Sequence, residues 1–184
     1  MLKKQVTGIV KKQDILENQV NLVYLALGSN LGNRIKNLEL AKSLIKSKNI
    51  SILKISKFYK TNSWPNKNFP YFLNFVILVK TNLNLRELFM KIKTIEEIVG
   101  RVKAPKNYPR VCDIDIVDFN GKVISIKYKK NNIFVPHKRM HKRNFVLLPL
   151  YEINKNWIHP KNKKNIVNLM TNLSNLDLRS INLI

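Results

Sequence analysis

The chain has 184 residues, 45% of them apolar, with 34 Lys plus Arg against 11 Asp plus Glu and a formal charge of +23. That length and apolar share suit one domain with its own core and exclude wholesale disorder; the single cysteine, Cys112, excludes a disulfide framework and a thiolate metal cluster. The charge favours anionic partners, yet Lys far outnumbers Arg and is spread over every segment beside abundant Asn and Ile, a pattern of AT-rich coding bias rather than of a nucleic-acid surface with clustered Arg and exposed aromatics.

Residues 1–20 are polar and basic, with a loose helical pattern in Ile9, Val10, Ile15 and Leu16, and are expected to form a flexible extension to a single domain over 21–184. Leu22 to Leu27 reads as a buried strand, ended by the turn formers Gly28-Ser-Asn-Leu-Gly-Asn33. No Gly-Lys-Ser/Thr follows, so this is not a Walker loop. Asn33 can cap a helix carrying Leu38, Ala41, Leu44 and Ile45, and Ile50 to Tyr59 is strand-like. The loop 61–70 holds Trp64 and Phe69, two large aromatics that a merely connecting loop does not need. Tyr71 to Lys80 is a second β-prone run, and Leu85 to Val99 sets Leu88, Phe89, Ile92, Ile95 and Ile98 on one helical face before Gly100. A loop over 101–109 leads to the strand Cys112 to Phe119; Val123 to Ile126 follows the Gly121 turn, Ile133 to His137 opens a segment running into a helix at Asn144 to Ile153, and a short helix at about 164–172 closes the pattern. The order β-α-β-β-α-β is that of an α+β, ferredoxin-like unit: an antiparallel sheet with helices packed on one face. No apolar run approaches a membrane span or the centre of a secretion signal, so a cytoplasmic protein without a membrane partner is expected.

Within Arg110-Val-Cys-Asp-Ile-Asp-Ile116 the two aspartates fall on one strand face and Cys112, Ile114 and Ile116 on the other. Their Cα atoms then lie roughly 6 to 7 Å apart. Parallel carboxylates that close repel each other unless a positive charge joins them. A divalent cation is one such partner, and oxygen-only ligands suit Mg²⁺, which completes its shell with water and substrate phosphates; a salt bridge to Arg110 or Arg101, or a solvated strand face, is the alternative. Cys112, opposite the aspartates, reads as a small buried core residue rather than a nucleophile.

Taken together, Tyr24-Leu-Ala-Leu-Gly-Ser-Asn-Leu-Gly-Asn33, Phe58-Tyr-Lys-Thr61, Phe72-Leu-Asn74, Ile95-Glu96, Gly100-Arg101, Arg110 to Ile116, Val135-Pro-His137, Met140 and Arg143-Asn-Phe145 resemble the 6-hydroxymethyl-7,8-dihydropterin pyrophosphokinases of folate biosynthesis, from about Leu22 to Pro160. The resemblance implies transfer of pyrophosphate from ATP to the pterin hydroxymethyl group, giving AMP, with two Mg²⁺ ions clamping the reacting oxygens. It implies Asp113 and Asp115 as the metal-bridging pair; Arg101 and Arg110 as catalytic cations; Glu96, Ile116, His137 and Arg143 as further ATP contacts; and Phe72 and Phe145 stacking on the pterin, with Asn74 reading its edge and Thr61 and Trp64 beside it. A monomer is expected.

Departures from the family pattern are Lys93 for glutamine, Lys103 and Asn132 for arginines, Phe134 for threonine, Lys138 for tyrosine and Tyr108 near the place of a tryptophan. Lysine lacks the bidentate fork of arginine, which predicts an active but slower enzyme. The competing readings are a basic RNA-binding module on the same fold, for which Asp113 and Asp115 have no use, and a homologue that keeps the fold without turnover.

Overall fold

The computed structural model describes residues 20–47, 49–128 and 131–184, so the extension expected over 1–20 lies outside them except for Val20. In chain order the elements are β1 (Asn21–Ser29), α1 (Arg34–Ile45), β2 (Ile50–Ile55), β3 (Tyr59–Thr61), β4 (Phe72–Thr81), α2 (Leu85–Ile98), β5 (Asp113–Phe119), β6 (Ile124–Tyr128), β7 (Asn131–Val135), α3 (Asn144–Ile153), α4 (Ile166–Thr171), α5 (Asn175–Arg179) and β8 (Ile181–Leu183). The main sheet runs β5-β1-β4-β3-β8, every pairing antiparallel, with β2 on the far half of β4 beyond β3; β6 and β7 pair apart from it. This is the expected ferredoxin-like α+β order.

The apolar run 75–79 of β4 reflects burial on both of its faces. One face, with Leu25, Phe75, Ile77 and Ile114, packs on Leu38, Ala41 and Ile45 of α1 and on Leu88, Ile92 and Ile95 of α2. On the other, Val76, Leu78 and Val117 meet Val146, Leu147 and Leu150 of α3 and Ile166 of α4. Helices therefore cover both faces, not the single face the sequence suggested, because the carboxyl-terminal third supplies a second apolar layer. Each large side chain so buried contributes about 1.5–3 kcal/mol.

Local chemistry sets the element ends. Asn33 caps α1 by accepting from the Lys36 N–H, Asn84 and Glu87 form a capping box on α2, and α2 stops at Gly100, whose φ of 106° favours glycine. The single strand expected over Ile50 to Tyr59 breaks in two because Ser56 turns inward: its N–H donates to Val76 O and its hydroxyl accepts from Val76 N. In β5 the alternation holds through Ile116, then a bulge opposite Tyr24 and Leu25 leaves Val117 without a cross-strand partner, and Val117 and Asp118 are both buried.

Candidate active site

Register places the polar residues of three strands in one row. Gly28 of β1 pairs with Asp113 of β5 on one side and Asn74 of β4 on the other, and Ala26 pairs with Asp115. Cross-strand partners share a face, so Asp113, Asp115, Gly28, Asn74 and Phe72 all present to the side that α3 covers. Gly28 lies inside β1 rather than in the turn the sequence suggested, and glycine is required there by space: a Cβ would stand 2.9 Å from Asn74 Oδ1 and 3.5 Å from Phe72 Cδ1.

Cations converge on the aspartates. Arg101 Nη1 donates to Asp113 Oδ1 at 2.6 Å and Arg110 Nη1 to Asp113 Oδ2 at 3.2 Å, while Arg143 Nη1 donates to Asp115 Oδ2 at 3.1 Å with His137 Nε2 3.9 Å from the same oxygen. The ion-pair alternative raised from the sequence is thus realised at Asp113. Burial alone would push the Asp113 carboxyl up, but the Arg110 and Arg101 guanidiniums hold it below the ordinary carboxylate range. His137 is held below its usual value, by burial first, and its Nδ1 accepts from the Arg139 N–H, so at neutral pH an uncharged ring turns Nε2 towards Asp115.

Glu96, expected beside the nucleotide, is 1% exposed and braces the cluster from below. Its Oε1 accepts from Arg101 and from the Ile114 N–H, and its Oε2 from Lys93 Nζ at 2.7 Å. Burial raises its pKa against the pull of Lys93 and Arg101. Lys93, one of the departures from the family pattern, therefore has a structural partner. Three carboxylates face Lys93, Arg101, Arg110 and Arg143, leaving a positive excess that suits a polyanion.

Two cavities adjoin the row. One of about 480 Å³ is walled by Asp115, Ile116, His137, Phe134 and Lys138; the other, of about 560 Å³, by Glu96, Arg101, Lys103, Tyr108 and Arg110. All the departures line one cavity or the other, and Lys138 Nζ lies 3.6 Å over the Phe134 ring, so two of them compensate each other as a cation-π pair.

On the Asn74 side, Asn74 Nδ2 donates to Thr61 Oγ1 at 3.0 Å, both side chains being buried. That bond fixes the amide's orientation. Phe72 and Phe145 are half-buried, and Arg143 lies 5.4 Å from the Phe145 ring. Trp64 stands 74% exposed on its loop, apart from the buried Thr61 it was grouped with.

Sequence reasoning missed Asn30. Its buried amide accepts from the Arg110 N–H at 2.7 Å and donates to Ser63 Oγ and Pro70 O, while its own N–H donates to Arg110 O, so one side chain joins the 61–70 and 101–110 loops to the end of β1. Phe69 and Tyr108, one from each loop, meet 5.6 Å apart at ring centres. An asparagine in a turn gives no sign in sequence of such a role.

Two carboxylates on one strand face, with only oxygen to offer, form the donor set a hard divalent cation takes when water and phosphate complete its shell. Asp115 Oδ1 has no protein partner, and no third His, Cys, Asp or Glu joins the pair as a metal-holding group, among the described residues. The residues present fit such a cation.

A family model for 7,8-dihydro-6-hydroxymethylpterin-pyrophosphokinase (HPPK) matches residues 24–155. The chain is 43% identical over 143 residues to the 2-amino-4-hydroxy-6-hydroxymethyldihydropteridine pyrophosphokinase of Aquifex aeolicus, covering 77% of this chain and 86% of that protein. It is 34% identical over 172 residues to the folic acid synthesis protein fol1 of Pneumocystis carinii, covering 94% of this chain but only 22% of that longer protein. In fold it is similar to a Plasmodium falciparum HPPK-DHPS variant crystallised with pterin and p-hydrobenzoate, at a TM-score of 0.72 and 20% identity, covering 91% of this chain and 48% of that one. By this match and these identities, the chain belongs to the 7,8-dihydro-6-hydroxymethylpterin-pyrophosphokinase (HPPK) family.

Proposed function

We propose that this chain transfers the pyrophosphoryl group of ATP to the hydroxymethyl group of 6-hydroxymethyl-7,8-dihydropterin, releasing AMP, as a step of folate biosynthesis. The observation that carries the reading is the single row in which Asp113 and Asp115, surrounded by Arg101, Arg110, Arg143 and His137, stand across Gly28 from Asn74. One end suits a magnesium-bound polyphosphate and the other a flat heterocycle with an amide-like edge.

Asp113 and Asp115 would hold two Mg²⁺ ions, which when bound neutralise charge on the phosphates and on the attacking and leaving oxygens. Arg101 and Arg110 then exchange their carboxylate partner for phosphate oxygens, and their planar forks favour the charge spread over the transferring group. Uncharged His137 donates from Nε2, and Arg143 closes the phosphate side. Glu96 keeps Arg101 in reach through their ion pair, and Ile116 backs the nucleotide cavity. Phe72 and Phe145 stack on the pterin, and Asn74, held by Thr61, reads its edge; Trp64 closes over it from the loop. The corresponding proposals are that residues 21–184 act as one domain, that the protein is a monomer, and that it works in the cytoplasm without nucleic-acid or membrane partners; no described helix is long and apolar enough to cross a membrane.

The test is incubation of the protein with MgATP and 6-hydroxymethyl-7,8-dihydropterin. AMP in step with pterin diphosphate is expected. ADP would mean simple phosphoryl transfer, and no product together with salt-sensitive RNA binding would overturn the reading.

A further inference from the structure

Residues 174–184 follow the family-matched stretch, yet they hold two elements beside the row, β3 and the start of α3. β8 adds to the edge of β3 with Ile181 opposite Thr61 and Leu183 opposite Tyr59, and the Ile184 N–H continues the ladder to Phe58 O. β3 has only three residues, and its other neighbour is β4, where Thr61 pairs with Phe72 and Tyr59 with Asn74. Without β8 it would be a short, unpaired edge, which is the kind of strand that frays. Thr61 is the hydroxyl that orients the Asn74 amide.

The second connection runs through Asn144. Its side-chain amide, 7% exposed, donates to Asp177 O at 2.5 Å and Ser180 Oγ at 3.0 Å, while its Oδ1 accepts from the Phe145 N–H at 2.7 Å. Ser180 Oγ donates back to Asp177 O, and the Ser174 and Asp177 capping box fixes this turn. Both bonds donated by the Asn144 amide nitrogen thereby join the start of α3 to the terminal segment. Phe145 and Arg143 flank it in sequence.

We propose that residues 174–184 form a clasp that fixes the spacing between the two walls of the pterin site, Thr61 with Asn74 on β3 and β4 and Phe145 on α3, and that Asn144 is its positioning residue. The inference rests on the reading of the substrate as a pterin. Geometry of this kind acts on the substrate that both walls must grip and leaves the one held by Asp113, Asp115, Arg101 and Arg110.

Asn144→Asp in the full chain keeps the acceptor for the Phe145 N–H but removes both donors to the clasp, and Ser180→Ala removes one acceptor at the surface. Steady-state kinetics should show the pterin KM raised about tenfold by Asn144→Asp and about threefold by Ser180→Ala, with the ATP KM and kcat within about twofold of the parent. A structural role alone would lower the unfolding midpoint and the active fraction without this split. Should Asn144→Asp fail to fold, Ser180→Ala carries the same comparison. Unchanged pterin KM, or equal loss towards both substrates, overturns the clasp. A parent protein that makes no AMP overturns the functional reading instead.

Discussion

Asp113 and Asp118 stand at opposite ends of β5, and their carboxyls are displaced in opposite directions. Asp113, beside Arg101 and Arg110, titrates below the ordinary range although burial works against it. Asp118, 3% exposed, has no cation on it among the described residues: it accepts from Trp157 Nε1 and from the Gly121 N–H, each at 2.7 Å, and burial raises its pKa over the effect of those bonds. The same side chain on the same strand thus serves two ends. One carboxylate is kept ionised and accessible by charges that a ligand can displace; the other is a buried acceptor that fastens the β5–β6 turn to Trp157.

The sharpest way to break this contrast is Asp115→Ala, which takes one carboxylate from the accessible pair. AMP formation should fall by about a thousandfold or more while the far-ultraviolet circular dichroism and unfolding midpoint stay near the parent's; an active variant would remove Asp115 from the mechanism. Next in size, Gly28→Ala pushes a methyl group into Asn74 Oδ1 across the row, and the pterin KM should rise about tenfold with a smaller change in the ATP KM, read from initial rates. Asp118→Ala should do the reverse of Asp115→Ala. It leaves the Trp157 and Gly121 donors without an acceptor, so denaturant titration should show a loss of about 1–3 kcal/mol, with kcat unaltered.

The smallest effect is in pH. A carboxyl with a raised folded pKa binds its proton more readily in the folded state, so its contribution to stability grows as pH falls through that folded pKa. Lowering the pH from 7 towards 4 should therefore favour the parent over Asp118→Asn. For Asp113, whose folded pKa is lowered, the stabilisation is present above the unfolded value of 3.8 and fades as pH falls below it, so the parent should lose ground to Asp113→Asn there. Unfolding free energies that move the two pairs in the same direction, Asp118 as pH falls from 7 and Asp113 as it falls below 3.8, would erase the distinction.

Local signals carried most of the core. The alternation around Asp113, the Asn33 cap and the helical face ending at Gly100 are properties of short windows, and each element formed where its window placed it. What stayed hidden depends on distant partners. Ser56 divides a strand through Val76, Glu96 is buried because Lys93, Arg101 and the Ile114 N–H meet it, and β8 exists because β3 offers an edge. None of these pairings leaves a periodic trace. The family resemblance named Glu96 as a polar site residue but not its depth, since identity at a position does not report what lies over it.

Asn30 has a consequence for how such a chain can change. Because one buried amide ties both loops to the end of β1, an insertion or deletion in 61–70 displaces the anchor of 101–110 as well. Their lengths are not free to drift independently, and a designer who lengthens one should expect to retune the other in the same round.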